Sequence, residues 1–134
     1  MLTIIDSDSW APELYFKTMN RYISEDPEIF QKAIFCAPQI FTRNNLDVPV
    51  FNRVYDIMHS FVHLSNLQAI WFSFPLSNYS VSYSLMKKVG FWDTNHDAIG
   101  EDFHTCQKVF WKTEGNSLTV PICTPFNQLS LTTG

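Results

Sequence analysis

The sequence predicts an α/β domain in which a layered sheet is flanked by helices. Short apolar segments alternate with amphipathic helical segments along the chain, and this order is typical of α/β architectures. The chain opens with the continuous apolar run of residues 2–5, which predicts a strand buried on both faces. A length of 134 residues supports one domain with a real core.

Composition narrows the class of protein. Apolar residues make up 46% and charged residues 16% of the chain, which excludes a disordered protein. The net charge of −4 comes without a cluster of Lys and Arg, so we expect no nucleic-acid partner. Polar residues and Pro75 interrupt the most apolar stretch, residues 61–76, so we expect no membrane segment. The first residues do not have the pattern of a signal peptide. The three cysteines are widely spaced, which predicts reduced, buried thiols. We therefore expect a cytoplasmic location.

Apolar periodicity predicts two long helices in the first half of the chain. One begins near Pro12, because Pro is favoured at the first helical position, and buries Tyr15 and Met19. The longest helix covers residues 49–67. It carries a stripe of apolar residues that we expect to be buried: Val50, Val54, Ile57, Phe61 and Leu64.

The second half of the chain predicts two shorter helices and the remaining strands. Residues 82–89 form a helix ended by Gly90, and residues 102–113 form another. The buried face of that last helix is expected to hold Phe103, Cys106 and Phe110. Strands are expected at residues 33–36, 39–42, 70–74 and 118–122, the last near an edge because it contains a proline.

Two carboxylates directly follow the first predicted strand. Asp6 and Asp8 flank Ser7 at the end of a buried run, where ligands bind in open α/β sheets. Hard oxygen ligands suit Mg²⁺ or Mn²⁺, which complete their coordination with substrate phosphates. The alternative is that one Asp caps the following helix and the other is solvated.

A second acidic pair opens the last predicted helix. Glu101 and Asp102 follow Gly100, and the helix dipole favours the ionised form of a carboxylate at this place. An ionised carboxylate can accept a proton from a hydroxyl group, so Asp102 is a candidate general base. The alternative is an ordinary acidic first turn.

Other polar and aromatic residues are weaker candidates. Trp92 could stack on an acceptor sugar or could be a half-buried core residue. His104 could contact a metal or a diphosphate, or could be polar surface. His59 and His63 are four residues apart on the long helix, and we expect structural roles for both. Residues 77–80 could hydrogen-bond a sugar or cap the next helix.

The order of these motifs resembles the second half of a family-two glycosyltransferase domain with the GT-A fold. The block Val89-Gly90-Phe91-Trp92-Asp93 is similar to the family's valine-glycine-glycine-phenylalanine-aspartate segment. In both cases a Glu-Asp pair follows and opens a helix. The resemblance runs from Leu2 to about Pro125.

The resemblance implies a role for each acid. In the family the Asp-x-Asp motif binds the divalent cation that holds the nucleotide diphosphate, which implies Mn²⁺ or Mg²⁺ at Asp6 and Asp8. The aspartate of the Glu-Asp pair is the general base, which implies that Asp102 activates the acceptor hydroxyl with support from Glu101. The implied reaction is an inverting transfer from a nucleotide-sugar donor to a carbohydrate or lipid-linked acceptor.

Two departures from the family pattern shape the remaining expectations. The nucleotide-binding half that precedes the Asp-x-Asp motif has no counterpart here, and neither has the Gln-x-x-Arg-Trp motif of processive members. We therefore expect residues 1–134 to form a single partial domain, the metal-binding and acceptor-side portion, with a sheet incomplete on its N-terminal side. It would associate with a missing N-terminal half or with itself, and a longer parent protein could lie on the cytoplasmic side of a membrane.

Two other functions stay open at this point. One is a non-catalytic truncated remnant of such a domain. The other is a metal-dependent phosphohydrolase that uses the same acids.

Overall fold

The computed structural model describes residues 1–66, 77–92 and 100–130. Within these ranges the chain forms four α-helices and two sheets, which confirms the predicted α/β class. The helices are α1 (Glu13–Glu25), α2 (Val50–Asn66), α3 (Tyr83–Val89) and α4 (Glu101–Lys112). The strands are β1 (Leu2–Ile4), β2 (Ser9–Trp10), β3 (Ala33–Cys36), β4 (Gln39–Phe41), β5 (Tyr79–Val81), β6 (Leu118–Pro121) and β7 (Phe126–Gln128). The predicted strand at residues 70–74 lies outside the described residues.

The strand directions bring several strand ends to one edge of the first sheet. Its order is β1-β5-β3-β6, in which β5 runs antiparallel to both of its neighbours and β3 pairs with β6 in parallel. Strands β1, β3 and β6 therefore end at the same edge, where β5 begins. The second sheet, β2-β7-β4, is formed by the segments that follow these three strands.

The core lies on both faces of β3. Ala33 and Phe35 pack beneath α1 in one apolar cluster with Tyr15 and Met19, as the helical periodicity predicted. The alternate residues of β3 point to the other face and join a second cluster with residues of α3 and α4. This alternation follows from the two-residue period of a strand, and it places helices on both faces of the sheet.

The first strand is less buried than the sequence predicted. Its three residues are all half-buried, and within the described part of the chain β1 pairs with β5 alone. A strand that has a neighbour on one side only leaves part of its surface open to solvent. Burial on both faces, expected for β1, is instead a property of β3.

The expected burial on α2 is wrong. The five residues of the predicted apolar stripe are 44–71% exposed, although they do share one side of the helix. The opposite side packs on β4, where the ring of His59 lies 5.4 Å from that of Phe41 and Asp56 and His63 are buried. Periodicity shows which residues share a face, but it does not show what covers that face.

The buried face of α4 is also rotated from the predicted one. Phe103 and Phe110 are nearly half exposed, whereas Thr105 and Val109 are buried and Cys106 packs against the second cluster. This rotation turns the side of α4 that carries Asp102 and Cys106 toward the sheet. It therefore changes the surroundings of the candidate base.

The three cysteines are free thiols, as expected, but only Cys36 is fully buried. Cys106 is half-buried, and Cys123 is exposed, contrary to the prediction. Burial, followed by the charge of Asp102, raises the pKa of Cys106 to about 12, so this thiol stays protonated. Among the described helices, none combines the length and the apolar character that a membrane span requires.

Candidate active site

The acidic residues of the first motif lie at the edge where β1 and β3 end. A turn follows β1 and is closed by a 3.0 Å hydrogen bond from the Ser9 amide to the Asp6 carbonyl oxygen. The turn holds Asp6 and Asp8 as half-buried side chains rather than core residues. This is the location that the sequence predicted for a ligand site of an α/β sheet.

Two buried amide side chains hold this turn. The Asp6 amide donates to Oδ1 of Asn78 at 2.9 Å, and Nδ2 of Asn78 donates to the Ser9 hydroxyl at 3.0 Å. Nε2 of Gln128 donates to the same hydroxyl at 2.7 Å. Asn78 and Gln128 are 1% and 3% exposed, whereas Asp6 and Ser9 are half-buried, so these bonds are partly buried and hold the turn against the sheet.

The backbone of Asp8 is fixed from the other side of the turn. Nη1 of Arg43 donates to the Asp8 carbonyl oxygen at 2.8 Å. The guanidinium therefore binds the main chain. The ion pairs within the described ranges join Lys17 to Glu13 and Arg21 to Glu25, and none involves the acids of the site.

Asp102 lies in the first turn of α4. The helix starts after Gly100, whose φ of +91° favours glycine, and the His104 amide makes the first helical hydrogen bond to the Gly100 carbonyl oxygen. A carboxylate in this turn faces the positive end of the helix dipole. Glu101 precedes it and is exposed.

Opposing effects act on the pKa of Asp102. Burial raises it above its usual range and is the largest effect, whereas a side-chain hydrogen bond with Tyr79 lowers it. The negative charges of Glu101 and Asp6 raise it further. Tyr79 pairs with Ile4, two residues before Asp6, so the residue that interacts with Asp102 lies beside the strand that leads to the first acidic motif.

Tyr79, which interacts with Asp102, is also in contact with Trp92. Nε1 of Trp92 donates to the Tyr79 hydroxyl at 2.8 Å. The indole ring is half-buried beside the second apolar cluster, and the ammonium group of Lys108 on α4 donates to the carbonyl oxygen of Phe91 next to it. The N–H of Trp92 is thus engaged in the fold.

The described residues contain no group of three or more His, Cys, Asp or Glu side chains close enough to hold a metal ion. Among the described residues, the cation expected at Asp6 and Asp8 would have these two carboxylates as its ligands. Two carboxylates with substrate phosphates and water form a common environment of Mg²⁺. The two side chains fit such an ion because they are oxygen donors, partly exposed, and without an ion-paired Lys or Arg within the described ranges.

The remaining candidates from the sequence are histidines of α4 and α2. His104 is exposed in the first turn of α4, two residues after Asp102. His59 and His63 pack edge to face on α2 with ring centroids 5.0 Å apart, and Tyr55 stacks on His59. Burial, and then the charge of His59, lowers the pKa of His63 to about 4.

The sequence did not identify the residues that support the acids. Asn78 and Tyr79 belong to residues 77–80, for which sugar binding and helix capping were considered. Ser82 is the actual cap of α3, because its hydroxyl accepts from the Leu85 amide at 3.0 Å. In the sequence, Asn78 is an amide residue directly before a segment with aromatic and β-branched residues. Its role in holding the turn after β1 becomes visible only because β5 pairs with β1.

A comparison with protein families identifies the class of protein. The family described as glycosyl transferase family group 2 matches residues 1–120 of the 134-residue chain. The chain therefore belongs to this family, and its α/β fold is the GT-A-like fold that the motifs predicted. No curated protein and no solved structure matches the chain.

Proposed function

We propose that this chain is the metal-binding and acceptor-side portion of an inverting glycosyltransferase. Its substrates are a nucleotide-sugar donor and a carbohydrate or lipid-linked acceptor, and it acts in the cytoplasm or at the cytoplasmic side of a membrane. One observation carries the proposal. Asp102 interacts with the side chain of Tyr79, and Tyr79 pairs with Ile4, two residues before Asp6, which supports a common site for the two acidic motifs.

Each of the two acidic motifs has its own role in the proposed reaction. Asp6 and Asp8 bind Mn²⁺ or Mg²⁺, which supplies positive charge for the departing diphosphate. Asp102 accepts the proton of the acceptor hydroxyl, whose oxygen forms the new bond to the anomeric carbon as the bond to the diphosphate breaks. Glu101 supports the base, while Trp92 and His104 contribute to acceptor and diphosphate binding.

Calorimetry tests the metal and donor site. We expect UDP with Mn²⁺ to release heat on binding to the wild-type chain and to the control variant Glu28→Ala, which changes an exposed acid far along the sequence from both motifs. Asp6→Ala and Asp8→Ala should remove this heat. If the wild type itself gives no heat, the chain is a non-catalytic remnant of the domain.

A second assay separates transfer from hydrolysis. We expect UDP release from a UDP-sugar to depend on a hydroxyl acceptor and to fall roughly 10²- to 10⁴-fold in Asp102→Asn, the usual effect of losing a general base. Release of phosphate without any acceptor would instead support the metal-dependent phosphohydrolase.

A further inference from the structure

The side chain of Arg43 connects two strand ends of the second sheet. Strand β4 ends at Phe41, which lies beside Gln128 of β7, and Gln128 pairs on its other side with Ser9 of β2. Arg43 comes two residues after β4, and Asp8 comes directly before β2. The segment that follows β7 therefore separates the two residues, and Nη1 of Arg43 reaches across it to donate to the Asp8 carbonyl oxygen at 2.8 Å.

The main chain at both ends of this connection is fastened to the segment after β7. At one end, the Leu129 amide donates to the Asp8 carbonyl oxygen at 3.4 Å. At the other end, Nδ2 of Asn44 donates to the Ser130 carbonyl oxygen at 3.1 Å, and Oδ1 of Asn44 accepts from the Ser130 amide at 2.6 Å. Asn44 directly follows Arg43, so these bonds hold the base of the Arg43 side chain. The guanidinium group is thereby placed beside the first acidic motif.

Most donors of this guanidinium group are available to a ligand. The group has five N–H donors and carries its positive charge throughout the neutral pH range. One donor is used on the carbonyl oxygen of Asp8. Within the described ranges, Nε and Nη2 of Arg43 make no hydrogen bond, and the ion pairs there belong to Lys17 and Arg21. Arg43 is exposed, so the remaining donors are accessible at the turn.

The charge balance at the turn indicates which ligand these donors fit. The carboxylates of Asp6 and Asp8 carry two negative charges, which one divalent cation cancels. The diphosphate of a nucleotide sugar brings further negative charge to the same place, where a second positive group would attract it. Arginine suits this task because its planar fork can donate two parallel hydrogen bonds to phosphate oxygens.

We propose that Arg43 is a phosphate-binding residue of the donor site. Its guanidinium group is anchored through Nη1 on the Asp8 carbonyl oxygen, and its other N–H groups bind oxygens of the donor diphosphate. This inference rests on the proposed function, which brings a nucleotide sugar to Asp6 and Asp8. It extends that function because it assigns part of the donor site to a residue outside both acidic motifs.

The affinity for UDP in the presence of Mn²⁺ tests the proposal by calorimetry. In Arg43→Ala the affinity should fall roughly ten- to a hundredfold, the range expected for a lost hydrogen bond between charged groups. Arg43→Lys keeps the charge without the fork and should lose less, roughly threefold to tenfold. Arg53→Ala is the matched control and should bind UDP like the wild type, because Nε of Arg53 also donates to a carbonyl oxygen, that of Val48, at 3.1 Å.

The binding of Mn²⁺ alone separates phosphate binding from a purely structural role. Electron paramagnetic resonance of the free ion measures this affinity without any nucleotide. Arg43→Ala removes a positive charge beside the proposed cation site, so it should bind Mn²⁺ at least as tightly as the wild type while it binds UDP more weakly. If Arg43 only held the turn in place, its loss would weaken the binding of Mn²⁺ and of UDP alike, and this result would overturn the proposal.

The remaining outcomes distinguish this inference from the proposed function. An unchanged affinity for UDP in Arg43→Ala would overturn the role of Arg43 and leave the proposed function in place. A wild-type chain that does not bind UDP with Mn²⁺ would overturn both. If Arg43→Ala weakens UDP binding but the wild type transfers no sugar, the role of Arg43 is supported and the proposed enzymatic function is not. Should Arg43→Ala fail to fold, Arg43→Lys decides by the same measurements.

Discussion

Asp6 and Asp102 lie within electrostatic reach of each other, although they come from opposite ends of the chain. Burial is the main reason that the pKa of Asp102 is raised, and the charge of Asp6 adds to the effect. Asp6 reaches this place because β1 ends at the edge where β5 begins. Asp102 reaches it because α4 turns its Asp102–Cys106 side toward the sheet. The relationship links the two motifs that the proposed reaction needs.

Removing the charge of Asp102 should stabilise the fold at neutral pH. The pKa of Asp102 is higher in the folded chain than in the unfolded chain, where it is about 3.9. The protonated form of Asp102 therefore stabilises the fold below that pH, and this stabilisation is lost as the pH rises through the folded pKa. Asp102→Asn keeps an acceptor for Tyr79 but cannot ionise. We expect a higher melting temperature than wild type at pH 7 and no difference below about pH 3.9.

Thermal unfolding followed by circular dichroism between pH 3 and pH 8 measures this effect. Glu28→Gln removes one negative charge from an exposed position and serves as the control for net charge. If the melting temperature rises by the same amount in Glu28→Gln as in Asp102→Asn, the overall charge, rather than the surroundings of Asp102, explains the stabilisation.

Magnesium should lower the pKa of Asp102. A cation bound at Asp6 and Asp8 offsets the negative charge of Asp6, which is one of the causes that raise that pKa. In Asp6→Asn the pKa of Asp102 should already be lower and should respond little to the ion. Carbon NMR titrations with and without Mg²⁺ measure both values, and an equal response in Asp6→Asn would place the ion elsewhere.

Asn78 should contribute strongly to stability through the turn between β1 and β2. Asn78→Ala removes two partly buried hydrogen bonds of a buried side chain, to the Asp6 amide and to the Ser9 hydroxyl. We expect the free energy of unfolding to fall by about 2–3 kcal/mol, measured by urea denaturation. Asn116→Ala is the matched control, because its side chain makes one exposed hydrogen bond to the Thr113 carbonyl oxygen and should cost much less.

Acid should weaken the fold through His63. Burial, and then the charge of His59, lowers the pKa of His63 to about 4 in the folded chain. Between about pH 6.5 and about pH 4 the imidazole is therefore protonated in the unfolded chain and neutral in the folded chain. Stability should therefore fall as pH decreases from about 6.5 to about 4, by a few kcal/mol at most.

The variant His63→Leu should remove that part of the acid sensitivity, because it cannot bind a proton and fits a buried position. The exposed residue His104 provides the control variant His104→Gln. Urea denaturation at several pH values measures how the free energy of unfolding changes with pH. The same change in His63→Leu as in the wild type would show that another group is responsible.

The sequence predicted those features that depend on local pattern. The apolar face of α1 with Tyr15 and Met19, the cap at Gly90 and the position of Asp6 after a strand all follow from periodicity and residue type. It did not predict the partners of the acids. Asn78 and Tyr79 acquire their roles only because β5 inserts between β1 and β3, and this pairing is set by the tertiary fold.

The failure on α2 has a different physical origin. Its apolar residues do share one side, as the pattern predicted, but that side is exposed and the polar side packs on the sheet. Asp56, His59 and His63 each carry a buried side-chain atom without a hydrogen-bond partner among the described residues. A hydrophobic stripe predicts burial only when something covers it, and the cover is not a local property of the sequence.

The exposed side of α2 should make the chain associate with a second copy. Phe51 and Phe61 are 88% and 71% exposed, and seven further large apolar side chains of the helix are at least 44% exposed. An apolar patch of this kind is unusual on a monomer and is removed from water when two such helices pack together. We expect sedimentation velocity to show a concentration-dependent dimer.

The double variant Phe51→Ser and Phe61→Ser should shift this equilibrium toward the monomer by at least tenfold, because each large side chain buried on association contributes about 1.5–3 kcal/mol. Trp111→Ser is the matched control, since Trp111 is 74% exposed on α4 and is not part of the α2 surface. An equal effect of Trp111→Ser would locate the contact on α4. A wild-type chain that stays monomeric at all concentrations would mean that α2 does not bind a second copy.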